Sequence, residues 1–270
     1  MRFLKSFLGR LLAPRPVALP TVPIPAGWGA IVERLVPLSR SLPDAERARL
    51  LRLTQLFLKE VPLEGCGGLT LTEEISVTIA STASILLLNL PYPRFPRLRR
   101  VLVYPDTFVP VRLLSHLGSA APEEPEPTLG EAWHNGIVVL SWSSVRDGGL
   151  RDGDGHNVVL HEFAHVLDHE DGTADGRPIL GSPDARSTWA TILGAEFARH
   201  QATIESGADS ALDPYGAKNS AEFFAVATEA FFECGQRLRD RLPELYDLLR
   251  RFYQQDPAER SVESRGQTTG

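Results

Sequence analysis

The sequence has little cysteine: only Cys66 and Cys234 in a chain of 270 residues. They lie far apart, and neither belongs to a pair with the short spacing of a zinc finger or a redox motif. The sequence therefore excludes a disulfide-stapled fold and a cysteine-based metal site. Such sparing use of cysteine is typical of a reducing compartment, so we predict a cytoplasmic protein in which both cysteines are packing residues.

Long basic runs and long apolar runs are also missing. Lys and Arg total 28 against 34 Asp and Glu, and the net charge of −6 argues against direct binding to nucleic acid or to an anionic membrane. No stretch approaches the ~20 consecutive apolar residues that a membrane-spanning helix requires. We expect no membrane span and no direct nucleic-acid partner.

The first residues, MRFLKSFLGRLLAPRP, combine a basic start with a short apolar run. Lys5 and Arg10 interrupt that run, and no small-residue cleavage site precedes the prolines. The pattern therefore favours an amphipathic docking helix over a signal peptide. We assign residues 1–26 to this amphipathic segment and its Pro-rich linker, residues 27–257 to one folded domain, and residues 258–270 to a polar, disordered tail.

Helical patterns dominate the folded domain. They lie at residues 43–61 and 73–90, and then at about 184–206, 220–234 and 242–254. Short β-rich stretches separate the early helices from the later ones, at residues 99–105, 107–114 and 135–145. This order predicts an α+β fold in which a small sheet, mixed or mostly antiparallel, lies beside a helical body.

A histidine-glutamate-histidine pattern lies in VVLHEFAHVLDHEDG, residues 158–172. Residues four apart share a helix face, so His161 and His165 can both direct an imidazole nitrogen at one cation. Glu162 is rotated about 100° from His161, which suits a base that takes a proton from a nearby water better than it suits a ligand. The pattern is typical of zinc-assisted amide hydrolysis, although such a pentapeptide also arises by chance.

A catalytic zinc site needs a third protein ligand and an open fourth position. Asp171 has the spacing from His161 that the third ligand has in one class of zinc site. That class needs a glycine turn at the position that Asp168 occupies here. Glu222 and Glu229 lie on one stripe of the phenylalanine-rich segment NSAEFFAVATEAFFE. An ionised glutamate in such apolar surroundings needs a counter-charge, and this favours Glu222 as the third ligand.

Two acidic residues remain open at this point. Asp168 lies near the end of the motif helix, where a carboxylate opposes the helix dipole, so either it orients a ligand imidazole or it is a solvated polar end. For Glu229, a role at the metal site and a place on the solvated acidic edge of its helix are equally good explanations.

With His161, Glu162, His165 and Glu222 in place, the sequence closely resembles the Mlc titration factor A family of bacterial zinc peptidases. The resemblance runs from about residue 53 to residue 257, through segments that include LTQLFLKE, GEAW, GIVVLSW, NVVLHEFAHVLD and DPYGAKNSAEFFAVATEAFFE. It implies a metallopeptidase domain at residues 27–257 that holds one Zn²⁺ through His161, His165 and Glu222, with Glu162 as general base.

The family is similar at its active site to the catalytic domain of anthrax lethal factor, a gluzincin, which implies a gluzincin-type α+β fold. The resemblance also marks Tyr215, whose hydroxyl would stabilise an oxyanion or protonate the leaving group. A turn aromatic is the alternative for this residue. Val226 stands where thermolysin-like gluzincins have an aspartate, so the partner of a ligand histidine has to come from Asp168 or Glu229.

The resemblance implies peptide hydrolysis, with amino-terminal trimming of small peptides as the leading expectation. Residues 136–142 would be the sheet edge along which a peptide or protein substrate adds as a strand. The family's namesake is implied to sequester the glucose-responsive repressor Mlc, so the alternative is a non-catalytic protein that titrates an Mlc-like repressor. A purely structural zinc site is disfavoured because it would leave Glu162 without a task.

Overall fold

The computed structural model describes residues 18–91, 95–106, 130–133, 136–150 and 153–260. Its α-helices, in chain order, are α1 (Trp28–Leu35), α2 (Asp44–Glu60), α3 (Glu73–Leu86), α4 (Trp142–Leu150), α5 (Val158–Asp168), α6 (Pro183–Glu205), α7 (Ser220–Glu233), α8 (Gly235–Arg241) and α9 (Pro243–Tyr253). Short 3₁₀ turns lie at Pro37–Ser39, His169–Asp171 and Pro214–Ala217. Within these ranges, no helix is both long enough and apolar enough to cross a bilayer.

The strands β1 (Leu63–Gly65), β2 (Arg100–Tyr104), β3 (Gly130–Trp133) and β4 (Ile137–Ser141) form one sheet in the order β1-β2-β4-β3. β1 pairs with β2 and β2 with β4 in parallel, whereas β3 pairs with β4 antiparallel. A small sheet beside a helical body is confirmed, but a mostly antiparallel sheet is wrong. Helix α3 separates β1 from β2, and such a crossover returns the chain in the same direction.

Strand β4 is an interior strand, so the expectation that residues 136–142 form a free sheet edge is wrong. Val138 pairs with Val101 of β2 on one side and with Ala132 of β3 on the other. The near-continuous apolar run of β4 is typical of a strand buried on both faces. In the described sheet, the edges are β1 and β3.

Several element boundaries differ from the sequence expectations. The stretch 135–145 is not one strand, because β4 ends at Ser141 and α4 begins at Trp142. Helix α1 and the three-residue strand β1 were not predicted, and both are too short to carry a clear periodicity. The predicted strand at 107–114, most of segment 1–26 and most of the tail at 258–270 lie outside the described residues, so the domain limits stay predictions.

Helix α5 carries the histidine-glutamate-histidine motif and lies in the middle of the molecule. It packs against α3, α7 and the strands β3 and β4. The Phe163 ring lies 5.6 Å from the Phe57 ring and 4.9 Å from the Phe95 ring, measured between centroids, which anchors the side of α5 away from the motif. Asn157 begins the helix, and its Oδ1 accepts the N–H of Leu160 at 3.2 Å.

The connection from α5 to α6 makes a sharp turn at Gly176, which has φ +76°. Asp168, at the end of α5, accepts the Gly176 N–H on Oδ2 at 2.8 Å, and the Trp189 indole of α6 donates to the Gly176 carbonyl at 2.8 Å. A Cβ at residue 176 would lie only 2.4 Å from the Ser220 carbonyl oxygen. The turn therefore joins the end of α5 to the start of α7, and it fits only a glycine.

We predict that Gly176→Ala lowers the free energy of unfolding by about 2 kcal/mol or more, because alanine disfavours positive φ and its Cβ collides with backbone. Urea denaturation measures the loss. Gly181→Ala is the matched control, since a Cβ there meets nothing within 4 Å. Equal stability of the two variants would contradict the close approach at Gly176.

Candidate metal centre

Two imidazoles and one carboxylate converge between α5 and α7. His161 and His165 lie one turn apart on α5, and their Nε2 atoms are 3.3 Å from each other. Oε2 of Glu222, from the first turn of α7, lies 3.1 Å from both Nε2 atoms. The structure thus brings together the three side chains that the sequence indicated as metal ligands.

The start of α7 fixes the direction of the Glu222 side chain. Asn219 caps the helix, and its Oδ1 accepts the Glu222 backbone N–H at 2.9 Å. The rest of α7 is buried on nearly all sides, as the phenylalanine-rich sequence predicted. The Glu222 side chain therefore extends from a fixed helix end toward α5.

The pKa values of Glu222 and His161 are strongly shifted. Burial raises the pKa of Glu222, but the His161 and His165 imidazoles outweigh it and hold that pKa well below its usual range. Burial lowers the pKa of His161, but hydrogen bonds with Glu222 and Glu229 outweigh it and hold that pKa well above its usual value. The carboxylate is therefore ionised, and its surroundings favour a positive charge.

The donor set fits a divalent metal ion. Two imidazole nitrogens and a carboxylate oxygen are ligands that zinc accepts, and bonds of about 2.0–2.1 Å place tetrahedral ligand atoms about 3.3 Å apart. The observed separations of 3.1–3.3 Å match that spacing. Among the described residues, this is the one group of three His, Cys, Asp or Glu side chains close enough to hold a metal ion.

Glu229 lies two turns after Glu222 on α7 and contacts the opposite side of the His161 ring. Its Oε2 is 2.8 Å from His161 Nδ1, and its Oε1 accepts the Asn157 N–H at 2.7 Å. With Nδ1–H donating to this carboxylate, the lone pair of Nε2 would be available to a metal ion once Nε2 has lost its proton. Asp168 and Glu229 were the two candidates for the partner of a ligand histidine. Of these, Glu229 is the one that contacts the His161 ring.

Asp168 and Asp171 accept hydrogen bonds from the turns that follow α5. The Asp168 side chain is fully buried and accepts the N–H of Gly176, so it closes the turn after α5 rather than orienting an imidazole. Burial raises the Asp168 pKa to about 6, although hydrogen bonds from the backbone at Gly176 and Arg177 oppose the shift. Asp171 accepts the Thr173 hydroxyl at 2.7 Å in an exposed turn.

Glu162 lies beside the three converging groups. Its side chain is 3% exposed, although it follows His161 directly on the helix. Its negative charge contributes to raising the pKa of both His161 and Tyr215, so its carboxylate lies near these two rings. The position suits a base that acts next to the metal site rather than a ligand.

Tyr215 covers the centre from the short turn Pro214–Ala217. It is 46% exposed, its ring centroid lies 6.1 Å from that of His161, and its hydroxyl donates to Glu222 Oε1 at 3.4 Å. Lys218 donates to the Tyr215 hydroxyl at 3.3 Å, and Asp213 accepts the Tyr215 backbone N–H at 2.7 Å. Sequence reasoning marked Tyr215 but missed Lys218 and Asp213, which flank it within three positions.

Two imidazoles and a carboxylate that could hold a metal ion, with a buried carboxylate and a tyrosine hydroxyl beside them, are the arrangement expected of a metallopeptidase centre. The chain matches the family described as glucose-regulated metallo-peptidase M90 over residues 13–254. This match covers most of its length, and the chain therefore belongs to that family. The family's description as a metallo-peptidase implies a bound metal ion.

Curated relatives agree with this membership. The chain is 39% identical over 236 residues to the uncharacterized protein slr2042 of Synechocystis sp., a match that covers 87% of the chain and 86% of the relative. It is 34% identical over 242 residues to Mlc titration factor A of Pectobacterium atrosepticum, with 86% and 87% covered. The Mlc titration factor A of Serratia proteamaculans is 31% identical over 228 residues, with 83% and 86% covered. The resemblance to the Mlc titration factor A family is thus confirmed.

We predict that Glu229→Gln weakens metal binding by about 10- to 100-fold, because an amide supports the Nδ1–H of His161 less well than a carboxylate does. Competition with a chelating dye measures the affinity. Glu233→Gln is the matched control, since Glu233 lies on the same helix and accepts from the Asn157 side chain at 2.8 Å rather than from the imidazole. Equal affinities of the two variants would show that Glu229 does not support the site.

Proposed function

We propose that the protein is a zinc-dependent metallopeptidase of gluzincin type. The observation that carries the proposal is the convergence of His161, His165 and Glu222 at mutual distances of 3.1–3.3 Å. Two imidazoles and one carboxylate, with a fourth position open to a water, match the ligand set of catalytic zinc sites. Zinc is favoured over calcium or magnesium because those ions prefer oxygen ligands.

Glu162 is the proposed general base. When bound, zinc would polarise the carbonyl of the scissile bond and make its water acidic enough to ionise near neutral pH. Glu162 then takes the proton of the attacking water on its carboxylate and passes it to the leaving amine.

Tyr215 is the proposed oxyanion donor. Its hydroxyl lies at the exposed side of the centre, next to the Glu222 carboxylate, and its O–H can turn to the oxygen that gains negative charge during attack. Burial and the Glu222 charge raise the Tyr215 pKa, while Lys218 opposes the shift, so the hydroxyl keeps its proton near neutral pH. The hydroxyl is thus available as a donor.

The proposed substrate is a peptide, which would add as a strand to the edge of β3. Because β4 is paired on both sides, β3 is the edge of the described sheet next to α5. Amino-terminal trimming of small peptides is the specificity that the family resemblance suggests. We place this activity in the cytoplasm, where cysteines such as Cys66 and Cys234 stay reduced.

We predict that Glu162→Gln retains zinc but lowers kcat on amino-acid anilides or short peptides by about 10²- to 10⁴-fold, because the amide cannot accept the proton. Metal analysis and steady-state kinetics with and without a chelator measure both properties. Glu170→Gln, two positions beyond α5, is the control for a glutamate lost near the motif. Turnover by Glu162→Gln at the wild-type rate would exclude Glu162 as the base.

A second candidate function follows from the name of the relatives, Mlc titration factor A. In this alternative, the chain binds an Mlc-like transcriptional repressor without cleaving anything, and the metal centre only shapes the surface. The Glu162→Gln variant separates the two functions. A titrating protein keeps its effect on the repressor in that variant, whereas a regulatory peptidase loses it.

A further inference from the structure

A buried histidine outside the metal centre joins the Tyr215 turn to the helices behind it. His200 of α6 is 5% exposed, and both of its ring nitrogens have polar neighbours. Nε2 lies 3.1 Å from the Asp213 carbonyl oxygen, and Nδ1 lies 3.1 Å from the Ser210 hydroxyl oxygen. Asp213 directly precedes the turn Pro214–Ala217 that carries Tyr215.

The hydrogen bonds define one tautomer. A carbonyl oxygen only accepts, so Nε2 carries the proton and donates to Asp213, and Nδ1 then accepts the Ser210 O–H. Burial lowers the His200 pKa, which favours this neutral form. A neutral ring with both nitrogens satisfied is a rigid link between α6 and the backbone that leads into the turn.

The same ring also packs against α7. Its centroid lies 5.6 Å from that of Phe223, the residue after Glu222. At Gly216, an added Cβ would lie 3.3 Å from His200 Nε2 and 3.4 Å from Val226 Cβ, so the turn sits tightly between α6 and α7. The far end of the turn is also tied to α6, because the Gln201 amide donates to the Ala217 carbonyl at 3.0 Å.

We propose that His200 is a positioning residue for the Tyr215 hydroxyl, acting through the Asp213 carbonyl and the Pro214–Ala217 turn. This inference rests on the proposed peptidase function. The Tyr215 side chain is nearly half exposed, so the packing of its own ring holds it only on one side. The position of its hydroxyl relative to Glu222 depends also on where the backbone of the turn lies, and His200 holds that backbone.

The expected effect on catalysis is large because reacting groups tolerate little displacement. A shift of about 1 Å in a catalytic group can lower the rate about 100-fold. We therefore expect His200→Leu to lower kcat by roughly 10- to 100-fold while zinc content is retained and KM changes little. His200→Gln, which keeps an N–H donor near the Asp213 carbonyl, should recover most of the rate.

A double-mutant cycle separates positioning from a general structural role. If His200 acts through Tyr215, adding His200→Leu to Tyr215→Phe causes no further loss of kcat, because the hydroxyl is already absent. Losses that multiply would overturn the proposal. Arg199→Gln is the control on the same helix, since Arg199 pairs with Glu196 rather than with the turn.

Hydrogen exchange of the metal-free protein tests the same inference without catalysis. His200→Leu should speed amide exchange in residues 213–217 and leave α5 unchanged; equal exchange in the turn would overturn the proposal.

If His200→Leu does not fold, Ser210→Ala replaces it in both tests, because it removes the hydroxyl that holds Nδ1. A wild-type protein that binds zinc but cleaves no peptide refutes the proposed function, whereas a cleaving wild type with multiplying losses refutes only this inference.

Discussion

The packing of α5 against α7 is the constraint on which the rest of the site depends. Each helix alone would bury charge or polar groups at a cost of several kcal/mol: two imidazoles on one, two carboxylates on the other. Placed face to face, the polar atoms of His161, His165 and Glu222 lie within 3.3 Å of one another, and Glu229 Oε2 lies 2.8 Å from His161 Nδ1 on the other side of that ring. The polar side chains of one helix therefore pair with those of the other, and a divalent cation bound between His161, His165 and Glu222 would add the positive charge that the two carboxylates favour.

Short polar contacts hold this pair of helices in register. Asn157 and Asn219 begin α5 and α7 with side-chain caps, and the Asn157 backbone N–H also binds Glu229. At the other end of α5, the turn at Gly176 reaches the first residue of α7. The side chains proposed as metal ligands thus lie on helices whose ends are fixed, which is what a preorganised metal site requires.

How much could be read from the sequence depends on how local each feature is. The one-turn spacing of His161 and His165 is local, and the apolar frame of Glu222 pointed to a buried counter-charge. Glu229 could not be separated from a solvated edge, because the imidazole it meets lies far away in the chain. Two further features depend on tertiary contacts: the pairing of β4 on both sides and the contact of His200 with the Asp213 carbonyl. The hydrophobic periodicity of the sequence carries no information about either.

The most direct test of the central claim is X-ray absorption spectroscopy of the zinc-loaded protein, since it reports the atoms bound to the metal. The account predicts two imidazole nitrogens together with oxygen ligands at about 2.0–2.2 Å, and the loss of this pattern in Glu222→Ala. A spectrum with sulfur at about 2.3 Å, or one without imidazole scattering, would contradict a centre built from His161, His165 and Glu222.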